Sequence, residues 1–495
     1  MIRNWHNMKA RTLIAAMMRL LHQDNQQFLA ESLAIDPLYQ GCRYEEALRT
    51  GKMDEWKAKM RGEAHNYLVL AQSYMHAGLY QDAVSILSAS TDTNPLLDYY
   101  TGYAEKADGH EKEALAAFEA AEQKPFDYCF PNHVEEIFIL QSAIETLPKA
   151  PSAHYLLGNL LYDKKQYDRA ADEWQSAIDE NQQLAMAYRN LALAKMNKQH
   201  DSETALKLIQ RACQLMPEYP RFWLELDQLL AKLNKPVAER LKIMEEHPSV
   251  TMERDDLRLR YITMLNASGQ YDKALHILKE TRFHPWEGGE GKVAAQYKIS
   301  LHSLAVKALT QGKAEEALPL LEAALTYPDN LGEGKLPNVP DHETWYELGR
   351  AYEMLHQHDK AVACWKRATI GSQTPEPVRY YNDQPSDYIF YQGLAFRALG
   401  EEENALRSFH QLVIYGEQHL FDKVEYDFFA VSMPEIEVFE DDIQLRSTQY
   451  CNYLRALGHI GLGERQEADS ILDAILSRQV DHQGALSAKY FLIHH

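Results

Sequence analysis

The chain has 495 residues, 45% of them hydrophobic and 25% charged, and 72 acidic side chains against 51 basic ones give a formal net charge of −21. So acidic a surface repels nucleic-acid phosphate and anionic membrane, and no apolar run reaches the roughly 18 residues of a membrane span. Neutral ligands such as sugars, cationic peptides and ordinary protein surfaces remain as partners.

Residues 12–21 read as an amphipathic helix with an apolar stripe of Ile14, Met17, Met18 and Leu21. No small-residue cleavage site follows, so the segment does not read as a secretory signal. Cys42, Cys129, Cys213, Cys364 and Cys451 are scattered, odd in number and never at metal or redox spacing. They read as buried, reduced thiols of a cytoplasmic protein, and neither a cofactor nor a metal is expected.

From there the chain is dominated by a repeat of about 34 residues, the period of helix-turn-helix units. An alanine opens the second helix of each unit, at Ala83, Ala114, Ala170, Ala205, Ala274, Ala317, Ala361, Ala405 and Ala468. Twelve residues earlier most units carry a second small residue: Ala71, Gly102, Gly158, Ala305, Gly349, Gly393 or Ala456. Five residues before the anchor stands a turn glycine in several units, and four after it a large apolar residue such as Phe118, Trp174, Trp365 or Phe409. Small residues let antiparallel helices approach; large ones fill the groove against the next pair. The pattern resembles the tetratricopeptide repeat, most fully in Trp345, Leu348, Gly349, Tyr352, Ala361 and Trp365. The fold class expected is all-α, a right-handed solenoid of such helix pairs.

The spacing also shows where the array departs from regularity. Between Ala114 and Ala170 there is room for an extra helix near 133–147, ended by Pro148. Between Ala205 and Ala274 lies a degenerate unit around Trp223 and Glu239. A short extended piece is conceivable only at Phe428–Val431. Repeats over 1–280 thus differ from those over 281–495, where the period lengthens through insertions at 281–293, 327–342, 371–387 and 413–445.

A solenoid places equivalent loops side by side, so these insertions mark a candidate site. The first two share the tetrad Gly-Glu-Gly-Lys, at 289–292 and 332–335. Trp286, Glu287, Glu290 and Lys292 stand in the first, with Asn330, Glu333 and Lys335 in the second. Tyr381, Asn382, Asp383 and Tyr388 belong to the third, and Asp427 to the fourth. Aromatic faces beside carboxylates and amides are the groups that grip polyhydroxylated ligands. Equally, the tetrads read as helix caps, with each glutamate on backbone amides and Trp286 plugging a seam. The phosphate-loop signature is absent, because no Gly precedes at the required spacing and Val293 follows the lysine.

Residues 282–293, 330–337, 381–393 and 415–442, with Ala34–Pro37, Tyr128–Pro131, Gly158–Asp163 and Glu225–Asp227, together resemble the C-terminal half of a large uncharacterised bacterial family. Its full-length members carry a galactose-mutarotase-like β-sandwich ahead of a tetratricopeptide array. The resemblance implies a carbohydrate-related role, with the loop edge docking on a sandwich domain, although nothing in this chain resembles the sandwich. Three readings follow. One is a non-catalytic scaffold that docks a protein partner, either the sandwich domain or a second copy through the exposed first helix. Another is the helical part of a carbohydrate-active enzyme that lends loop carboxylates to a sugar site, where two carboxyl groups roughly 5–10 Å apart would be needed. The third, an adaptor clamping acidic peptide tails, ranks last because the first-helix positions mix Lys195, Arg350 and Arg397 with Glu105, Glu225 and Glu353.

Overall fold

The computed structural model describes residues 37–286, 288–377, 383–425 and 437–494. The apolar stripe of Ile14 to Leu21 and the segment Phe428–Val431 lie outside them. Among the described residues the chain forms only helices, and no helix is long and apolar enough to cross a membrane. Packing divides the chain into two compact units between Leu215 and Met216, whereas the repeat length changes near residue 281.

In the first unit, paired helices are α1 (Pro37–Thr50) with α2 (Met53–Lys59), α3 (Ala64–His76) with α4 (Tyr80–Ser88), and α5 (Leu96–Asp108) with α6 (Glu111–Gln123). A single helix, α7 (Glu136–Thr146), comes next. Then α8 (Pro151–Asp163) pairs with α9 (Tyr167–Glu180), and α10 (Ala185–Asn197) with α11 (Ser202–Leu215). The extra helix expected near 133–147 is α7, which packs on α5 and α8. The loop before it is held from within. Buried Glu136 accepts the amides of Asn132 (2.6 Å) and His133 (2.9 Å) and the Tyr100 phenol (3.1 Å). On this frame Tyr128, Phe130, Val134 and Phe138 are exposed.

The second unit opens with the degenerate repeat, α12 (Pro220–Lys232), α13 (Val237–Glu246) and the short α14 (Pro248–Thr251). Regular pairs follow: α15 (Asp255–Ala267) with α16 (Tyr271–Glu280), α17 (Lys292–Thr310) with α18 (Ala314–Ala324), and α19 (His342–Met354) with α20 (His358–Ala368). The last are α21 (Tyr388–Ala398) with α22 (Glu402–His419), α23 (Ile443–Leu462) with α24 (Arg465–Arg478), and the closing helix α25 (Gln483–His494). The sequence places the fourth insertion from 413, but α22 runs on through His419. Gly416 there serves close packing, since a Cβ would lie 2.5 Å from the Cys451 carbonyl oxygen of α23.

The anchor alanines explain the pairs: all nine are fully buried. The paired small residues receive the large ones, Phe118 on Gly102, Trp174 on Gly158, Trp365 on Gly349 and Phe409 on Gly393. The turn position five before the anchor takes positive φ throughout, in Gly78, Gly109, Gly269, Gly312, Gly400 and Gly463. Where glycine is missing, Lys165, His200 and His356 adopt the same left-handed conformation, at the local cost such residues carry. Asn234 does so five residues before Glu239, which fixes the register of the degenerate repeat.

Within the second unit the first helices α15, α17, α19, α21 and α23 touch in succession, more closely than their second-helix partners do. The array therefore curves with first helices inside. Its end returns to its start, with α25 against α15 and Gln483 bonded to Gln296 (2.8 Å).

Candidate functional site

The inserted loops fasten one another. Phe283, buried, donates its amide to the Asn330 carbonyl (2.7 Å). The Asn330 side-chain amide donates to the carbonyls of Leu278 and Thr281, both at 2.7 Å, and so closes the end of α16. Glu333 accepts the amides of Gly291 (2.8 Å) and Ala294 (3.2 Å). Its charge thus sits at the N-terminus of α17, where unpaired amides and the helix dipole favour an anion. Trp286 covers Gly289, whose added Cβ would come within 2.2 Å of the indole, and packs on the core of α16 and α17. Glu290 and Asp383 are exposed and Lys292 is half-buried. Glu287, Tyr381, Asn382 and Asp427 lie outside the described residues. At Glu333 and Trp286 the observed geometry is that of cap and seam plug. Glu333→Gln should lower the stability of residues 216–495 by about 1–2 kcal/mol in denaturant unfolding, and Glu290→Gln by less than about 0.5.

Lys335 leads inward from the loops. Its ammonium donates to the Leu325 carbonyl (2.9 Å) and to Asp341 Oδ2 (2.5 Å), above the Tyr327 ring. Asp341 Oδ1 lies 3.1 Å from Lys298 Nζ, and Lys298 reaches Glu343 Oε1 at 2.8 Å. The Tyr388 phenol donates to the same Glu343 oxygen (2.9 Å) and receives from Lys298 (3.3 Å). Burial alone would lower the Lys298 ammonium, but Glu343, Tyr388 and Asp341 outweigh it and hold it well above the ordinary lysine range. Burial would likewise raise Glu343; Lys298 and His302 reverse that and hold it low. Both groups therefore stay charged.

Beside this ion cluster stand Tyr388 and Tyr391 of α21, Tyr453 of α23, His302 of α17 and Asp387 at the head of α21, all partly exposed. The rings of Tyr388 and Tyr391 are 6.5 Å apart, edge to face, and His302 lies 6.3 Å from Tyr391. Burial, then the nearby Glu343 charge, pushes the Asp387 carboxyl up to about 6. Sequence reasoning named Lys335 and Tyr388 but passed over Lys298, Glu343, Asp387, Tyr391 and Tyr453. Those five sit in or directly at helices of ordinary repeat pattern, and only their shared first-helix position points to a common surface.

Residues 139–185, from α7 through α9 to the start of α10, match the tetratricopeptide repeat family model. Solved structures similar to this chain are repeat proteins too. YrrB, a TPR protein with an unusual peptide-binding site, shares 16% identity, covering 46% of this chain and 97% of its own, at a TM-score of 0.29. A tetratricopeptide repeat protein from Parabacteroides merdae shares 13%, covering 61% and 98%, at 0.27. MamA from Desulfovibrio magneticus shares 21%, covering 38% and 93%, at 0.21. The buried anchors, the glycine-aromatic seams and the helix pairs make the chain an α-solenoid of tetratricopeptide-like units.

Proposed function

We propose that this protein is a non-catalytic scaffold that binds another polypeptide along the first-helix face of its second unit. The observation that carries the reading is the partly exposed cluster of Tyr388, Tyr391, Tyr453 and Asp387 on that face. Curved repeat arrays present just such concave surfaces to partners. The exposed Tyr128, Phe130 and Val134 of the loop before α7, with Phe138 of α7, add apolar surface of the kind partners cover. A sugar grip by the loops has less behind it, since Asn330 and Glu333 spend their polar atoms on backbone. A β-sandwich domain as partner is the finer form of the reading and rests on the sequence resemblance. Five buried cysteine thiols favour a reducing compartment such as the cytoplasm.

The test is selection of a random peptide library on the whole protein, followed by hydrogen-exchange footprinting of the enriched peptides. Protection of 292–310, 342–354 and 388–398 is expected. Enrichment of no peptide, or protection confined to the outer second helices, would sink the reading.

A further inference from the structure

We propose that the apolar patch of Tyr128, Phe130, Val134 and Phe138 is covered by this chain's own residues 12–21, so that a partner reaches the patch only by displacing them. The inference concerns the first unit and stands apart from the first-helix reading of the second.

The patch is concentrated, and the loop is built to present it. Tyr128 is 89% exposed, Phe130 72%, Phe138 60% and Val134 56%. Val134 and Phe138 are four residues apart at the start of α7, and so neighbours on one face. The residues between them and α6 are anchored from behind. Phe126 packs on Tyr155 with ring centres 5.0 Å apart, Cys129 is buried beside Asn94, and Glu136 takes the amides of Asn132 and His133. Tyr128 holds a φ of 59°, a left-handed conformation uncommon for an aromatic residue, and its ring gains no burial in return. Apolar surface held open at such a cost is the mark of a contact surface.

Charge selects the occupant. Positions 127–146 contain Asp127, Glu135, Glu136 and Glu145 and no lysine or arginine. Glu136 is spent inside the loop, whereas the other three are at least partly exposed. Lys124, just ahead of the loop, is paired with Asp98. A rim of this sign repels its own copy and suits an apolar segment with basic flanks. Residues 1–23 have that composition: Arg3, Lys9, Arg11 and Arg19 with no carboxylate, in a chain of net charge −21. Ile14, Met17, Met18 and Leu21 supply an apolar stripe at helical spacing.

Reach favours the same chain over a second one. The described residues begin at Pro37, the first of α1, and α1 packs on α3. The loop lies against α3 as well: His133 stacks on His65 with ring centres 5.9 Å apart, and Glu135 comes within 3.9 Å of His76. The patch is therefore about two helix spacings from α1, roughly 20 Å. The linking residues 22–36 span up to about 50 Å when extended. A tether of that length holds the segment at an effective concentration of about a millimolar, far above any ordinary concentration of a second copy.

The test places the photo-cross-linking residue p-benzoylphenylalanine at position 130 of the whole protein, and in a second variant at position 134. Both positions are exposed, so the larger ring leaves the packing intact. After irradiation, cross-links mapped by mass spectrometry should join each probe to residues 12–21 of the same chain, in material that runs as a single chain. Arg11→Glu/Arg19→Glu should lower that yield about fivefold, and Arg11→Lys/Arg19→Lys should keep it. Absence of a cross-link to 12–21 from both positions overturns the inference. Cross-linked dimers as the main product overturn the own-chain assignment, and a yield indifferent to charge reversal overturns the charge pairing. None of these results bears on the second unit, whose reading the peptide library decides.

Discussion

Arg240→Ala should destabilise residues 216–495 by about 3–5 kcal/mol, the cost of stranding buried charge. The Arg240 side chain has no exposed surface and makes three charged hydrogen bonds: to both oxygens of Asp227 (2.8 and 2.9 Å) and to Asp481 (2.6 Å). Asp227 is shared with Arg260 at 2.7 Å. Burial would raise its carboxyl, but Arg260 and Arg240 reverse this and hold it below the usual range. A carboxyl so lowered contributes stability above its unfolded pKa and loses it as the pH falls through the folded one, so this cluster of four charges weakens only in acid.

What makes this cluster costly to break is its place. It ties the first repeat of the unit to the stretch between α24 and α25. Asn234 reinforces the junction by donating to the Ser477 carbonyl and accepting the Val480 amide, both at 2.8 Å. Lys232 adds pairs to Glu437 and Asp441. Solenoid stability is otherwise a sum of neighbour contacts, so a clasp between distant repeats raises cooperativity for the entire unit. Hydrogen exchange should therefore quicken at 477–483 and 232–240 in Arg240→Ala, with α1–α11 unchanged. Unaltered protection at 477–483 would show that the clasp holds nothing.

The clasp marks the limit of what the sequence makes legible. Ala83 to Ala468, their small partners and the large residues after them could be read directly, since each is fixed by contacts within one repeat or to the next. Even Asn234 and Glu239 in the degenerate unit keep that spacing. Arg240 with Asp481, or Lys298 with Tyr388, lie 241 and 90 residues apart, and no periodicity connects them. They meet only because the accumulated curvature of the array brings them together. The loops show the same division. Repeated Gly-Glu-Gly-Lys announced equivalent positions, yet Glu333 caps the helix after the preceding tetrad rather than the one after its own. The site residues that reasoning passed over, Glu343 and Tyr391 among them, look like ordinary helix positions until neighbouring first helices place them on one wall.

The seams inside repeats should give the other large effect, and they allow a sharper comparison. Trp365→Ala is expected to cost about 3–5 kcal/mol, the usual result of emptying a buried aromatic site. Gly349→Ala should cost about 1–2 kcal/mol, because its Cβ would lie 2.2 Å from the Trp365 indole nitrogen. The roughly 1 kcal/mol that alanine gains over glycine in a helix offsets only part of the overpacking. The equivalent seam in the first unit, Gly158 against Trp174, has the same shape but different polarity. Trp174 Nε1 donates to Asn159 Oδ1 at 3.0 Å, and that oxygen also accepts from Asn190. Trp365 Nε1 is buried with no partner among the described residues. Replacing each tryptophan with phenylalanine removes similar volume, but only at residue 174 does it also remove a made hydrogen bond. Trp365→Phe sheds an unpaired donor instead, which refunds part of its packing loss. Denaturant unfolding should therefore find Trp174→Phe the more damaging of the two by about 1 kcal/mol. Equal losses would mean that the indole N–H contributes nothing at either seam, and that shape alone fixes the repeat.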